Sequence, residues 1–253
     1  MASHDETFHT YLLIGQSNMA GRGVVGPQDK EIHPRVLALN RDCEWVPAVD
    51  PIHFDKPIAG VGPGLTFGKI IAGLDSSIRI GLIPCAAGGS PITAWQPGCC
   101  WEQTNSMPYD NAVRRARLAM SQGVLRGILW HQGESDSYEQ KADLYEDRLI
   151  ALIKALRADL DMPAIPFVVG TLGDFFVENC PPARLVNEAL QRVPQRIERA
   201  ACVMASGLGH IGDQLHFSAE AAHELGARYA AAMMHLQQRS SSFSPILGLN
   251  SAP

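Results

Sequence analysis

Short apolar runs separated by stretches of helical periodicity constrain this chain more than any other feature. The runs lie at 11–14, 36–40, 78–84, 124–130 and 165–170. Each has the length and composition of a buried strand. Between and after them, 65–74, 111–120, 143–160 and 183–193 place apolar residues at helical spacing. Leu149, Leu152, Ile153, Leu156 and Leu160 form one such stripe. Pro194 is expected to end the helix that begins near 183. Ser218 is a good N-cap for a last helix running to about 237. Strand and helix in alternation predict an α/β fold with a mainly parallel sheet of five strands. A short further strand is expected at 202–205, and 45–64 reads as a surface excursion.

The 253 residues suffice for one sizeable α/β domain, taken here as 1–253 with a loosely held tail from about 239. A net charge of −5 gives no support for nucleic acid or an anionic membrane as a partner. No apolar run approaches the length of a transmembrane helix. Residues 1–7 lack the basic and apolar regions of a signal peptide, so a full-length chain of this sequence is expected to be cytoplasmic. The six cysteines show no repeated spacing and no C-x-x-C pair. Cys85 and Cys202 sit in apolar runs and read as buried thiols. Cys99-Cys100 reads as structural or incidental.

Three polar clusters stand at the carboxyl ends of predicted strands: Gly15-Gln16-Ser17-Asn18, Gly88-Gly89-Ser90 and His131-Gln132-Gly133-Glu134. Parallel strands place all three on one edge of the sheet, where ligands and chemistry gather in open α/β folds. Asp213 and His216, just before the last helix, are spaced to close over that edge. Nucleophilic acyl transfer needs these parts. A serine hydroxyl is a weak nucleophile and needs a base, which histidine supplies. A carboxylate fixes the histidine tautomer. The oxyanion needs preorganised donors, for which the candidates are the main-chain amides of Ser17 and Gly89 and the side-chain amide of Gln132. Gly89 suits close approach because it carries no Cβ.

These motifs resemble the SGNH hydrolase superfamily, and within it the carbohydrate esterase family 6 and sialate O-acetylesterase-like group. The resemblance rests on Gly-Gln-Ser-Asn-Met at 15–19, Gly-Gly-Ser at 88–90 followed by Trp95, Trp-His-Gln-Gly-Glu-Ser-Asp at 130–136, and Asp-x-x-His at 213–216. It implies a three-layer α/β/α sandwich of flavodoxin-like type and removal of acetyl groups from xylan, a smaller acetylated sugar or sialate, with neither cofactor nor metal. The superfamily usually has an Asn as oxyanion donor where this chain has Gln132, as is typical of the subgroup. Ser17, Asp213 and His216 would be catalytic. Glu134 would orient His216, order the neighbouring loops or bind substrate. Gln16, Asn18 and Trp95 are further candidates for substrate contact. Trp95 and Trp101 either stack on a sugar or cover core, and His131 reads as a packing residue.

Two other classes match parts of the sequence. Gly21-x-Gly23-x-x-Gly26 matches a dinucleotide fingerprint literally, but Pro27 and a charged run follow where an apolar helix face is required, and Asn40 stands where an acid would hold the ribose. A non-catalytic sugar-binding module would keep the tryptophans without needing Ser17, Asp213 and His216 together.

Overall fold

The computed structural model describes residues 5–241; the tail beyond 241 lies outside the described residues. In chain order the elements are β1 (Asp5–Gly15), α1 (Ser17–Ala20), β2 (Val36–Leu39), β3 (Trp45–Pro47), α2 (Pro63–Leu74), β4 (Arg79–Pro84), α3 (Pro108–Met120), β5 (Gly123–His131), α4 (Glu139–Ala142), α5 (Tyr145–Asp159), β6 (Phe167–Gly170), α6 (Asp174–Asn179), α7 (Ala183–Arg196), β7 (Ala200–Val203) and α8 (Ala219–Ser241). The strands form one sheet in the order β3-β2-β4-β1-β5-β6-β7. Every pairing is parallel except β2 with β3.

The sheet therefore has seven strands, not five. β7 is the short strand anticipated near 202, shifted towards the N-terminus. β3 falls inside the stretch read as a surface excursion. It is three residues long, ends in Pro47, and pairs antiparallel at the sheet edge, where a residue that cannot donate to the ladder is tolerated. β4 stands between β2 and β1, whereas the flavodoxin order sets the second strand beside the first. Helix α7 continues through Pro194 to Arg196. Proline there removes one backbone donor close to the helix end, and Ile197 N–H still reaches Val193 O at 2.9 Å.

β1 shows why the sandwich has three layers. Leu12 and Ile14 face one way, into a core with Ala112 and Ala116 of α3, Leu149, Ile153 and Leu156 of α5, and Leu190 of α7. Tyr11 and Leu13 face the other way, onto Phe67 and Ile71 of α2 and Leu225, Tyr229 and Met233 of α8. Leu12, Leu13 and Ile14 are fully buried, each contributing about 2 kcal/mol of hydrophobic stabilisation. A strand covered on both faces has to be apolar on both, hence an unbroken run instead of alternation.

The chain leaves β1 for β2, returns to β4 beside β1, then crosses to β5 on the other side. The strand order reverses at β1, so a crevice opens beyond its carboxyl end. The loops after β1, β4 and β5 all line it.

Near the amino end of α8, Asp29 accepts hydrogen bonds from Gly26 N–H at 2.7 Å and lies 2.7 Å from His223 Nε2. Asp50, 1% exposed, has no side-chain partner among the described residues. Burial first, and the Asp29 charge second, push its carboxyl up to about 7.

Candidate active site

β1 ends at Gly15, where φ is +134° and a Cβ would sit 2.0 Å from the His131 carbonyl oxygen of β5. Only glycine fits so close an approach at that backbone angle. The chain then turns sharply into α1, with Ser17 as its first residue. The first N–H groups of a helix have no intrahelical acceptor, so the Ser17 amide is free to face the crevice.

Ser17 Oγ lies 3.1 Å from His216 Nε2, and His216 Nδ1 lies 2.6 Å from Asp213 Oδ2. The carboxylate partner puts the ring proton on Nδ1 and leaves Nε2 to accept from the serine, an assignment made from the network. Asp213 Oδ1 also accepts the N–H groups of Leu215 and His216, both at 2.9 Å. One carboxylate thus folds the loop with one oxygen and aims the imidazole with the other. Burial raises the Asp213 carboxyl, but the hydrogen bonds from the His216 amide and ring and the Leu215 amide outweigh it, and the group is held below the usual carboxylate range.

Glu134 is not on His216. Both ring nitrogens are engaged, and Glu134 Oε1 instead accepts from Asn18 Nδ2 at 2.5 Å. Burial pushes the Glu134 carboxyl up, against the Asn18 hydrogen bond that lowers it. Its Oε2 has no partner among the described residues, and the residue lines the crevice.

The remaining predicted residues divide. Gly89 (φ +77°) lines the crevice, and a Cβ on it would meet Gln103 Oε1 at 2.8 Å. Gln16 lines it beside Ser17, its Oε1 accepting Ser135 N–H at 3.4 Å. Gln132 does not reach it. Its amide nitrogen donates to Ser90 O at 3.1 Å and Asp136 Oδ2 at 2.6 Å, and the residue is fully buried. With both amide protons used, the expected oxyanion donor is an anchor for the 88–90 loop. Asn18 is likewise spent inside the protein: besides Glu134, it donates to Leu215 O at 3.0 Å and accepts Phe217 N–H at 3.1 Å. Trp95 covers core. It is 1% exposed, packs edge-on against Trp130 at 5.2 Å, and donates to Ser90 Oγ. Trp101 donates to Gly88 O at 3.1 Å and so holds the same loop. His131 is fully buried on Phe217 and Tyr229, with burial pulling its imidazole down to about 3.

The crevice has a volume of about 420 Å³. Its walls include residues with no legible signal in the sequence, among them Lys56, Ile58, Tyr138 and Phe176. Arg22 also lines it, paired with Asp55 at 2.8 Å, both almost fully buried. The Gly21–Gly26 fingerprint has a packing role here: Gly23 bridges Val61, and a Cβ on Gly23 would meet the Ala219 backbone at 2.7 Å. A larger cavity, about 600 Å³, opens at the other end of the sheet around His9, Val124 and Arg126; neither Ser17 nor His216 lines it. The six cysteines are free thiols, with Cys85 and Cys202 half-buried and pushed up to about 11 and about 12, chiefly by burial. Among the described residues no three His, Cys, Asp or Glu side chains gather to hold a metal, and no helix is long and apolar enough to cross a membrane.

A strand-end serine, a histidine and a carboxylate in one hydrogen-bonded chain on a parallel sheet are the parts of a carboxylic ester hydrolase. Sequence comparison narrows the class: the family described as carbohydrate esterase, sialic acid-specific acetylesterase, matches residues 7–235, and the chain belongs to it. It is similar to a probable carbohydrate esterase of Arabidopsis thaliana, 33% identical over 248 residues, covering 88% of this chain and 89% of that protein. The crystal structure of an Arabidopsis thaliana protein superposes with a TM-score of 0.80 at 31% identity, over 91% of this chain and 99% of the other. A probable 9-O-acetyl-N-acetylneuraminic acid deacetylase of Escherichia coli is 26% identical over 60% of this chain and 61% of its own length.

Proposed function

We propose that this chain removes acetyl groups from an acetylated carbohydrate through an acetyl-enzyme on Ser17. The observation that carries the reading is the pair of contacts on His216, 3.1 Å to Ser17 Oγ and 2.6 Å to Asp213 Oδ2. Ser17 Oγ attacks the acetyl carbonyl carbon while His216 Nε2 takes its proton. The carbonyl oxygen becomes an oxyanion held by the main-chain N–H groups of Ser17 and Gly89. The intermediate collapses, the C–O bond to the sugar breaks, and His216 returns the proton to the sugar oxygen. Water then attacks the acetyl-enzyme with His216 again as base, releasing acetate and restoring the serine. Asp213 keeps the imidazole in the required tautomer and steadies its charged form.

The family description and the Escherichia coli relative's name make O-acetylated sialate the first substrate to try. Tyr138 and Phe176 offer apolar surface to a sugar face, and Lys56 a cation to a sugar carboxylate. The test begins with nitrophenyl acetate and no added cofactor, then follows acetate release from O-acetyl sialate, acetylated xylan and acetylated xylose. A fluorophosphonate probe should label Ser17, and Ser17→Ala should lose labelling together with several orders of magnitude in rate. Labelling at another residue, or substantial turnover by the alanine variant, refutes the assignment of Ser17. Faster release from xylan than from sialate refutes the substrate order alone.

A further inference from the structure

The loop that carries Gly89 is tied at almost every backbone group. Ala87 N–H donates to Gly15 O at 2.9 Å, Gly88 N–H to Asp55 Oδ2 at 3.0 Å and Ser90 N–H to Ala87 O at 3.1 Å. The carbonyls accept from side chains: Gly88 O from Trp101 Nε1–H at 3.1 Å, Gly89 O from Ser135 Oγ at 2.9 Å and Ser90 O from Gln132 Nε2 at 3.1 Å. Of the amides from 87 to 90, that of Gly89 has no acceptor among the described residues.

Two of these ties fix the direction of that amide. Gly88 C=O and Gly89 N–H belong to one trans peptide plane and point in opposite directions. Trp101 holds the carbonyl end, which turns the N–H end to the other side. The peptide unit before it is held by Asp55 through Gly88 N–H. Neither Trp101 nor Asp55 is among the residues lining the crevice, whereas Gly88 and Gly89 are.

Asp55 is held in turn by Arg22, with Nη2 and Oδ2 2.8 Å apart and side chains 5% and 0% exposed. Arg22 Nη1 donates to Gly21 O at 2.7 Å, and Gly21 N–H donates to Ser17 O at 2.8 Å. One chain of contacts thus links the segment of Ser17 to the segment of Gly89. Desolvation offsets most of what a buried ion pair gains, so stability is a weak reason for this one. Gly88 packs directly on it: a Cβ there would lie 2.5 Å from Asp55 Oδ2 and 2.6 Å from Arg22 Nη2.

We infer, on the esterase reading proposed above, that Trp101 and Asp55, the latter held by Arg22, are positioning residues that aim the Gly89 N–H at the oxyanion. A donor serves there only if it is already placed within hydrogen-bond reach of the developing charge. A peptide plane free to rotate would have to be ordered at the moment of reaction.

Trp101→Phe tests this by removing one N–H while keeping an aromatic ring. With active sites counted by fluorophosphonate titration, kcat per site should fall about tenfold with KM held. Trifluoroacetone adds to Ser17 Oγ as a hemiketal, with His216 taking the serine proton and the ketone oxygen becoming the oxyanion. Its Ki should rise by the same factor as kcat falls, a parallel that loss of folded protein alone does not produce. R22M/D55L removes the pair without leaving a buried charge and should lower kcat roughly ten- to a hundredfold. R22M/D55N keeps an oxygen for Gly88 N–H and should recover most of that loss. If the leucine variant fails to fold, Trp101→Phe decides. Parental kcat and Ki in Trp101→Phe, or a raised KM with kcat and Ki unchanged, overturns the inference, as does R22M/D55N no faster than a folded R22M/D55L. A parent that neither hydrolyses nitrophenyl acetate nor labels at Ser17 overturns the esterase reading itself, and this inference with it.

Discussion

Asn18 Oδ1 accepts the backbone N–H of Phe217 at 3.1 Å, across 199 residues of sequence. The same carboxamide donates to Leu215 O at 3.0 Å. Asn18 therefore grips the residues on either side of His216 from the helix that begins with Ser17. The distance between Ser17 and His216, the proposed nucleophile and base, is thus held by a third side chain.

Loosening that grip should displace the imidazole from the serine. A misplacement of about 1 Å can cost roughly a hundredfold in rate, so Asn18→Ala should lower kcat ten- to a hundredfold with a small change in KM. Fluorophosphonate labelling of Ser17 should slow in parallel. A raised KM with unchanged kcat would instead make Asn18 a substrate contact.

Replacing Asp213 by Asn should cost about four orders of magnitude in kcat, because the neutral amide no longer selects the Nδ1–H tautomer. Glu134→Gln should cost far less. Glu134 holds Asn18, not the imidazole, and its carboxyl is already pushed towards the neutral form by burial. Steady-state rates of the two variants at one pH check the ranking. A dead Glu134→Gln beside an active Asp213→Asn would move the orienting role to Glu134.

Gln132 and Gly89 should respond differently to substitution. Gly89→Ala should reduce kcat by roughly 10²–10³, the range for losing an oxyanion donor, since its φ of +77° is one that a residue with a Cβ rarely adopts, so the loop would move. Gln132→Ala unties Ser90 O and leaves Asp136 Oδ2 with the Ile92 N–H as its remaining donor. It should lower the melting temperature as well as kcat. Gln132→Ala with full stability and a pure kcat defect would show that the side chain swings to the oxyanion after all.

Asp50→Asn should alter stability in a pH-dependent way. The unfolded chain releases the Asp50 proton near pH 4, whereas the folded chain keeps it until about pH 7. Between those values the unfolded state binds fewer protons, so this group makes stability fall as pH rises. At about 1.4 kcal/mol per pH unit, the ceiling on the cost above pH 7 is roughly 4 kcal/mol. The asparagine variant should gain part of that, about 1–3 kcal/mol near pH 8, because its own buried amide lacks partners. Near pH 4 it should differ little from the parent. Melts at several pH values check the slope, and a difference independent of pH would rule out the ionisation as its source.

The architecture was readable because strands buried on both faces are written as continuous apolar runs, and all five such runs are strands. What escaped lacks that signature. β3 is too short for any period, and the first half of β1 passes through Thr7, His9 and Thr10, of which Thr10 is fully buried among apolar neighbours. The meeting of Ser17, Asp213 and His216 was legible because chemistry restricts which residue types can do those tasks. The roles of Gln132, Asn18 and Trp95 were not. Composition tells that a side chain can donate or stack, but not whether a neighbour within the fold claims it first. Here Asp136, Phe217 and Trp130 do.

Ser17 follows the first strand and His216, its proposed base, sits just ahead of α8, while β1 pairs with β4 and β5, which are made much later. Reactivity is therefore acquired last. A chain emerging from the ribosome holds Ser17 early but carries no activated serine until residue 216 has been synthesised and docked. A nick between β7 and His216 would leave the sheet's full strand set intact, and the Asn18 bonds to Leu215 and Phe217 would then be what keeps His216 beside Ser17.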